Sequence, residues 1–296
     1  MIIIRKEAFH MENKTAISIE MVIDYIERHL NGKIDLETVA IAVNYSKYHL
    51  HRMFTETVGL TIHDYVQRRQ LTEAAKLLVF SDKPIIEIAF ICGYESQQSF
   101  TTAFTAMYKT SPAYYRDKQV FYPLLLRFVI HNRKLNLTLT KSDIQLAAME
   151  DIPSWMELLR LVVDGYPVLD ETDYLYKLKI FIKNKQALVL KDGELLIGAM
   201  AFSTPPCSIE FMGVHPQYRK RGIQKLFIDA LLEDYYPEQD ICITTYRNGD
   251  KADTGYRKEL QKLGFAEQEL LVEFGYPTQR FVLSAKKDDD ETVERK

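Results

Sequence analysis

Long apolar runs are absent. The nearest approach, Leu124-Leu-Leu-Arg-Phe-Val-Ile130, is short and broken by Arg127, well below the roughly 20 residues that a membrane-spanning helix requires. The opening Met1-Ile-Ile-Ile-Arg-Lys lacks the charge-then-apolar layout of a signal peptide, and Met11 offers an internal start. Cysteine is scarce: Cys92, Cys207 and Cys242 lie far apart inside apolar or strand-like segments. That spacing speaks against a disulfide or zinc framework and reads as reduced, buried thiols, with no metal site. A cytoplasmic protein is the expectation. An excess of positive charge is also missing, since 38 Lys and Arg face 41 Asp and Glu for a net charge of -3. Between Met11 and Lys118 acids and bases nearly cancel. Any DNA contact there must come from local arrangement of Lys47, Arg52, Arg68, Arg69, Lys109, Arg116 and Lys118, with a modest salt dependence.

What is present is an internal repeat. The 296 residues fit two domains, and the apolar fraction of 47% with 27% charged is that of a globular protein. In the first half, Ser18–Leu30 has an amphipathic helical pattern ending at Asn31-Gly32. Asp35 caps a second helix. Ala40-Ile-Ala-Val-Asn44-Tyr45 is a helix end and tight turn, followed by Tyr45-Ser-Lys-Tyr-His-Leu-His-Arg-Met-Phe54. Read as a helix, this last stretch buries Leu50, Met53, Phe54 and Thr57 and exposes Tyr48, His51, Arg52 and Thr55. The same turn recurs in Ala89-Phe-Ile-Cys-Gly93-Tyr94. It leads to a helix that buries Phe100, Ala103, Phe104 and Met107 and exposes Gln98, Thr101, Thr102 and Thr105. Leu50 matches Phe100, Phe54 matches Phe104, and Tyr65 matches Tyr115: a duplicated helix-turn-helix. A helix from Ile62 to about Val79, capped by Thr61 and turning Tyr65, Leu71, Ala74, Ala75 and Leu78 inward, joins the copies. The second copy begins at Ser81-Asp82-Lys83-Pro84, with a cap candidate and proline in the first turn.

Two such units on one rigid helix can place two exposed helices roughly 34 Å apart, one turn of duplex, within reach of successive major grooves. Arg52 suits guanine, Tyr48 a thymine methyl, and His51 donates or accepts. Gln97 or Gln98 suits adenine, Ser99 and Thr102 a phosphate or base edge, and Lys109 and Arg116 phosphates. A plain helical bundle with solvated Tyr, His and Gln is the competing reading, weakened by two patterns in register.

These residues resemble the AraC/XylS family of bacterial transcription regulators over about Ile17 to Lys118. The resemblance rests on Tyr45–Phe54, Ile88-Ala89, Cys92-Gly93-Tyr94-Glu-Ser-Gln-Gln98, Phe100, Phe104 and Ser111-Pro112-Ala-Tyr-Tyr-Arg116. It implies promoter DNA as partner, with RNA polymerase a further candidate. It also implies base reading by Tyr48, His51 and Arg52, then by Gln97, Gln98 and Ser99, with Lys47 beside them. Some relatives carry arginine where Thr102 stands.

Gln119–Ser142 is poor in glycine and serine and holds Phe121, Tyr122, Leu124–Leu126, Phe128 and Val129. It is expected to pack, not to act as a flexible linker, and to dock the two domains. From Ile144 strands and helices alternate. Expected are a strand near Ile144–Ala148 and helices Ile152–Val163 and Asp173–Lys183. Strands Ala187–Lys191 and Glu194–Phe202 follow, turned by Asp192-Gly193, then strand Ser208–Val214 and a helix opened by His215 and running to about Tyr235. Strand Ile241–Tyr246, helix Thr254–Leu263, the Gly264-Phe265 turn and two last strands complete it. The charged tail from Lys286 is expected to be disordered.

Arg219-Lys-Arg-Gly-Ile-Gln224 is a basic, glycine-bearing turn at a helix start, where free N–H groups and the positive dipole end favour a pyrophosphate. Alone it is a weak signal, since a solvated basic turn is commoner. With Val-x-Pro before it and Leu263-Gly264-Phe265 after, the segment from about Ile144 to Leu283 resembles the GNAT superfamily of acetyl-CoA-dependent N-acetyltransferases. The (Arg/Gln)-x-x-Gly-x-(Gly/Ala) signature is met at Arg219 and Gly222, while Gln224 departs from it. The resemblance implies that backbone N–H groups from Arg221 through Gly222, Ile223 and Gln224 to Lys225 hold the CoA pyrophosphate. Main chain at Met212 and Val214 would pair with the pantetheine arm.

Acetyl transfer to an amine needs a base for the ammonium and an acid for the departing thiolate. Glu210 shares strand parity with Met212 and Val214 and is the base candidate, through water. The family often has a tyrosine acid where Leu260 stands here, so Tyr256 or Tyr246 is the substitute. A merely hydrogen-bonded Glu210 and packing tyrosines are the competing readings. Asp170 and Asp173 would favour a cationic amine, with Asp164, Tyr166 and Tyr276 as further pocket liners, although acids at a helix start are usually caps.

The expected architecture is therefore two domains: an all-α tandem helix-turn-helix domain over 11–118, then an α/β (α+β) acetyltransferase domain with a mixed central sheet over 143–285. The apolar connection 119–142 joins them and the tail 286–296 follows. The expected function is a sequence-specific regulator carrying an acetyl-CoA-dependent N-acetyltransferase for a small amine. Its rivals are a non-catalytic acetyl-CoA or ligand sensor, and an enzyme whose helical half binds protein.

Overall fold

The structure, a computed structural model, describes residues 2–131, 138–162, 169–205, 207–237, 239–273 and 275–285. The chain divides into two compact units. The first comprises Met1–Thr138, Met156–Asp170 and His215–Arg221; the second comprises Leu139–Trp155, Glu171–Val214 and Gly222–Lys296. Asp164, Tyr166 and the tail 286–296 lie outside the described residues. Among those described, no helix is long and apolar enough to cross a membrane.

The first unit is built on seven helices: α1 (Ile2–Arg28), α2 (Leu36–Ala42), α3 (Lys47–Val58), α4 (Ile62–Phe80), α5 (Ile85–Ile91), α6 (Gln97–Tyr108) and α7 (Pro112–Lys118). Side-chain caps set most of their starts. Asp35, Ser46, Thr61, Ser96 and Ser111 each accept from the backbone N–H three residues on, at about 1 kcal/mol apiece. Ser81 departs from expectation: it ends α4, its hydroxyl donating to the Leu77 carbonyl at 2.7 Å. Pro84 takes the N-cap of α5 with no side-chain hydrogen bond.

The first core gathers Ile19, Val22, Ile23 and Ile26 of α1 with Leu50, Phe54 and Val58 of α3. The second is aromatic. Phe104 lies 5.5 Å from Phe100, stacks on Tyr108 at 4.4 Å and meets Tyr115 edge-on at 5.4 Å. All five α4 residues expected to face inward are fully buried, but so, nearly, are Arg68, Arg69, Gln70 and Thr72. Part of the reason is the stretch 119–131, which lies along α4 and buries Tyr122, Leu124, Leu125 and Phe128.

The second unit carries a seven-stranded sheet in the order β1-β2-β3-β4-β5-β7-β6. Its strands are β1 (Gln145–Leu146), β2 (Ala187–Asp192), β3 (Leu195–Ser203), β4 (Ser208–Val214), β5 (Ile241–Tyr246), β6 (Ala266–Glu273) and β7 (Tyr276–Leu283). Every pairing is antiparallel except β4 with β5. The helices are α8 (Ile152–Val162), whose residues from Met156 count with the first unit, α9 (Glu171–Lys183), α10 (Ile223–Ala230) and α11 (Tyr256–Lys262). One sheet face receives Trp155 and Tyr174, which meet Phe211 at 5.7 and 6.2 Å. The other receives α10, which fits because Gly198 has no side chain: a Cβ there would stand 2.8 Å from Ile223 and Phe227.

Two sequence expectations shift. Asp192 pairs with Leu195, so the β2–β3 turn is Gly193-Glu194, with Gly193 at φ 59. Glycine at the first central position suits a two-residue hairpin loop. The helix expected from His215 breaks into a 3-10 segment, Pro216–Arg221, the left-handed Gly222 at φ 72, and then α10, which closes in a π turn.

Candidate functional site

In the first unit, each copy of the repeat turns a polar helix face outward. On α3, Lys47, Tyr48, His51 and Arg52 are exposed, with Tyr48 at 87%. Ser46 accepting from His49 N–H fixes the start of this helix, and Gly59 at φ 80 ends it. On α6, Gln97, Gln98, Ser99 and Thr102 are exposed. Two of these hydroxyls also serve the backbone: Ser99 donates to the Ser96 carbonyl at 2.9 Å and Thr102 to the Gln98 carbonyl at 2.9 Å. Lys109 takes the left-handed C-cap of α6 at φ 58 and returns its ammonium to the Ala106 carbonyl at 2.8 Å.

The cations of the first unit sort unequally. Arg69 is buried, donating twice to Glu27 at 2.8 Å, and to Glu73 and the Leu125 carbonyl. Arg68 is buried too. Arg116, expected on phosphates, donates instead to the Leu78 and Lys83 carbonyls at 3.3 and 2.6 Å. Sequence alone presents such arginines as surface charge; burial turns them into braces for main chain. Lys47 sits 3.3 Å from Glu37, an exposed pair of little energetic weight. Thr57, expected in the buried stripe, is half-buried and donates to the Met53 carbonyl. Thr55, expected to face out, has a buried hydroxyl with no hydrogen-bond partner.

The second unit holds an opening in the middle of its sheet. β4 and β5 pair only at Ser208–Cys242 and Ile209–Ile243. Beyond Ile209 the two parallel strands part, so the β5-facing main chain of Glu210–Val214 lacks a neighbouring strand. On its other side β4 remains paired with β3, Met212 opposite Met200 and Val214 opposite Gly198. Between them Ala201 faces Phe211 while Phe202 faces Ile209, leaving Glu210 as the extra residue of a bulge. This overturns the parity expected for Glu210. Its carboxylate accepts from the Ser203 hydroxyl at 2.6 Å, and Ser203 alternates with Ala201 and Ala199, opposite the side of Met212 and Val214. The alternation of Ser208–Val214 gives no sign of an inserted residue, so the sequence does not point to Ser203 as the partner of Glu210.

Gly222 begins α10 with open space where a Cβ would stand. Its left-handed turn leaves Ile223, Gln224 and Lys225 in the first helical turn, where backbone N–H groups have no helical partner. Lys225 pairs with Asp229 at 2.8 Å. Arg219 and Arg221 belong to the first unit. There the Arg219 guanidinium donates to the Gly59 carbonyl at 3.3 Å, and Gln217 accepts from the His131 N–H at 3.0 Å. His215, 6.2 Å from Phe128 and 5.4 Å from His131, is depressed to about 3 by burial, with His131 and Arg219 adding repulsion.

At the far end of β5, Tyr246 and Tyr276 stack with centroids 6.3 Å apart. Arg257 donates to the Tyr246 carbonyl at 2.9 Å, which ties the start of α11, and with it Tyr256, to that strand end. Leu260 is fully buried. Asp170 is an exposed residue of the first unit, and Asp173 sits in the first turn of α9, 2.9 Å from Lys177. Among the described residues, no group of three or more His, Cys, Asp or Glu could hold a metal. The three cysteines are buried and unpaired.

A helix-turn-helix domain model matches residues 39–118. The uncharacterized HTH-type transcriptional regulator YbfP of Bacillus subtilis (strain 168) is 37% identical over 99 residues, covering 33% of this chain and 34% of YbfP. The chain thus spans about a third of that relative's length. The multiple antibiotic resistance protein MarA of Escherichia coli (strain K12) is 38% identical over 104 residues, 35% of this chain and 82% of MarA. A solved acetyltransferase of the GNAT family from Bacillus cereus ATCC 10987 covers 49% of this chain and 97% of its own, with 17% identity and a TM-score of 0.39.

Proposed function

We propose that this chain, which belongs to the AraC-type helix-turn-helix family, is a sequence-specific DNA-binding transcription regulator whose second unit is an acetyl-CoA-dependent N-acetyltransferase for a small amine. The observation that carries the DNA half is the pair of capped, outward-facing helices α3 and α6, in register through the repeat. Arg52 reads guanine, Tyr48 and His51 contact neighbouring base edges, and Gln97 and Gln98 read adenine. Lys47 and Lys109 position the duplex through phosphates, with Ser99 and Thr102 at its edge.

For the second unit, the parting of β4 from β5 beside the Gly222 turn supports the reading. An extended pantetheine arm can hydrogen-bond to the free main chain at Met212 and Val214, as an added strand would. The N–H groups of Gly222 to Lys225 face a pyrophosphate at the positive end of α10. The open space at Gly222 fits such a group. Acetyl-CoA, when bound, supplies an acyl group on a thioester. Glu210, on the sheet face opposite the Met212 and Val214 side chains, takes the ammonium proton from that side through water, freeing the nitrogen lone pair to form the new C–N bond. As the C–S bond breaks, Tyr246 or Tyr256 gives the thiolate a proton. Tyr276, stacked on Tyr246, lines the amine side, and Asp173 is assigned to drawing in a cation.

Release of free CoA over a panel of amines tests this. Wild type should turn over at least one amine, and Glu210→Gln should lower kcat by about 10²-fold or more. A second reading, an acetyl-CoA sensor without turnover, is favoured by the Ser203–Glu210 hydrogen bond and by apolar Leu260 in the place of the family's acid. CoA binding without turnover on any amine would establish it.

A further inference from the structure

The family match ends at Lys118, and the next thirteen residues do something the match does not cover. We propose that 119–131 is a strap that fixes the relative placement of α3 and α6, and so determines which spacing of two DNA half-sites the protein accepts. This rests on the DNA-reading assignment above.

The anchoring is two-ended. At the second copy, the Tyr122 carbonyl accepts from the Tyr108 and Tyr115 hydroxyls at 2.9 and 3.1 Å, and its N–H donates to Tyr115 Oη at 2.7 Å. In the middle, the N–H groups of Leu124 and Leu125 both donate to Thr72 Oγ1 on α4, at 3.1 and 3.2 Å. The Leu125 carbonyl accepts from Arg69 at 3.0 Å. At the first copy, Phe128 N–H donates to Tyr65 Oη at 3.2 Å. Leu125 and Phe128 enter the core of that copy, and Arg127 pairs with Asp24 of α1.

Tyr65 and Tyr115 are repeat equivalents, fifty residues apart, so matching hydroxyls grip opposite ends of one strap. Tyr65 is itself fixed, donating to Glu27 at 2.9 Å, and Glu27 is held by Arg69. The strap's own bonds to Tyr108, Tyr115, Thr72, Arg69 and Tyr65 are buried, where losing one partner leaves a costly unsatisfied group. The six steps from Tyr122 to Phe128 reach about 20 Å when extended, comparable with the ~28 Å length of α4. Without the strap, the copies are joined by α4 and by the Gly93–Glu95 turn resting on Gly32 and Lys33, a smaller contact that leaves each copy freer to tilt. With it, orientational freedom is lost before DNA binds, so the second contact is made at high effective concentration, and only at one spacing.

The test compares wild type with Thr72→Val/Tyr115→Phe on duplexes whose half-sites stand at the spacing wild type binds best or two base pairs further apart. That insertion turns one half-site about 70° around the axis. Wild type should lose on the order of 100-fold in affinity, the double variant on the order of 10-fold or less. Arg127→Ala, a surface change, should move the penalty the same way by a smaller factor. In parallel, spin labels at Glu56→Cys and Thr105→Cys report the distance between α3 and α6 without DNA. It should be narrow in wild type and broad in the double variant. An unchanged spacing penalty with an unchanged narrow distance would overturn the proposal. Should wild type bind no duplex at any spacing, the DNA reading falls, and the label distances alone still decide whether the strap holds the helices.

Discussion

Ser46 and Ser96 open equivalent helices fifty residues apart, yet the turns before them are not the same length. The first runs Asn44-Tyr45-Ser46; the second, Gly93-Tyr94-Glu95-Ser96, carries one residue more. Both need a left-handed residue, and each meets the need differently, Asn44 at φ 56 and Gly93 at φ 80. The inserted Glu95 reaches Lys33 at 3.4 Å. Tyr45 hydrogen-bonds to Ser18 at 2.7 Å, whereas the buried Tyr94 hydroxyl has no hydrogen-bond partner. The helix ends differ as well. Gly59 has its carbonyl held by Arg219 from far along the chain, while Lys109 folds back on its own helix. One backbone design, written twice, tolerates quite different local chemistry provided the caps and the apolar stripe stay in register. The copies diverge where they face outward: a cationic, bulky surface on α3, a neutral amide and hydroxyl surface on α6.

The sharpest break of this likeness is at the turn. A Cβ at Gly93 would sit 2.6 Å from the Gly32 carbonyl oxygen and 2.7 Å from Gln70 Nε2. Gly93→Ala therefore combines left-handed strain with a backbone collision and should cost about 3 kcal/mol in urea unfolding. Asn44→Ala carries the conformational term alone, about 1 kcal/mol; equal losses would show that the two turns do not differ in packing.

Acid should separate the copies next. His215 touches Phe128 of the first core and titrates near 3 when folded, below its ordinary value of 6.5. The unfolded chain thus takes the proton first. Its contribution is complete above pH 6.5 and is lost as pH falls toward 3, amounting to ~2 kcal/mol between pH 7 and 5. His215→Asn should flatten that slope in denaturation curves, and a pH profile unchanged by the substitution would remove His215 as the cause.

On DNA the asymmetry should reappear as a difference in footprinting affinity. Arg52→Ala is expected to cost about tenfold or more and Gln98→Ala a few-fold. Lys109→Ala, the smallest change, should lower the salt slope by about one without altering sequence preference. If neither Arg52→Ala nor Gln98→Ala changes recognition of the operator, α3 and α6 are not the reading helices.

What could be read from residues alone follows one physical rule. Apolar periodicity and short polar caps declare themselves, so α3, α6 and their stripes, Leu50 with Phe54 and Phe100 with Phe104, stand in the sequence. Arg69, Thr72 and Arg116 did not, since a polar side chain bonded to buried main chain looks like one in water until the covering segment is placed. Glu210 shows the same limit in a strand. Alternation carries parity across a regular ladder, but one unpaired residue resets it, and nothing in Ser208–Val214 marks the spot. The β2–β3 turn slipped by one position for a similar reason, because Asp192-Gly193 and Gly193-Glu194 are both acceptable turn pairs.

Among the described residues, two pairs, 208 with 242 and 209 with 243, join β4 to β5. Counted by ladder bonds, the sheet is two leaves, β1 to β4 and β5 with β7 and β6, stapled at one corner. A sheet with such an interior margin is softest at its centre, where most sheets are stiffest. Whatever fills the gap stitches the leaves together, so occupancy of that gap and rigidity of the whole sheet become one variable.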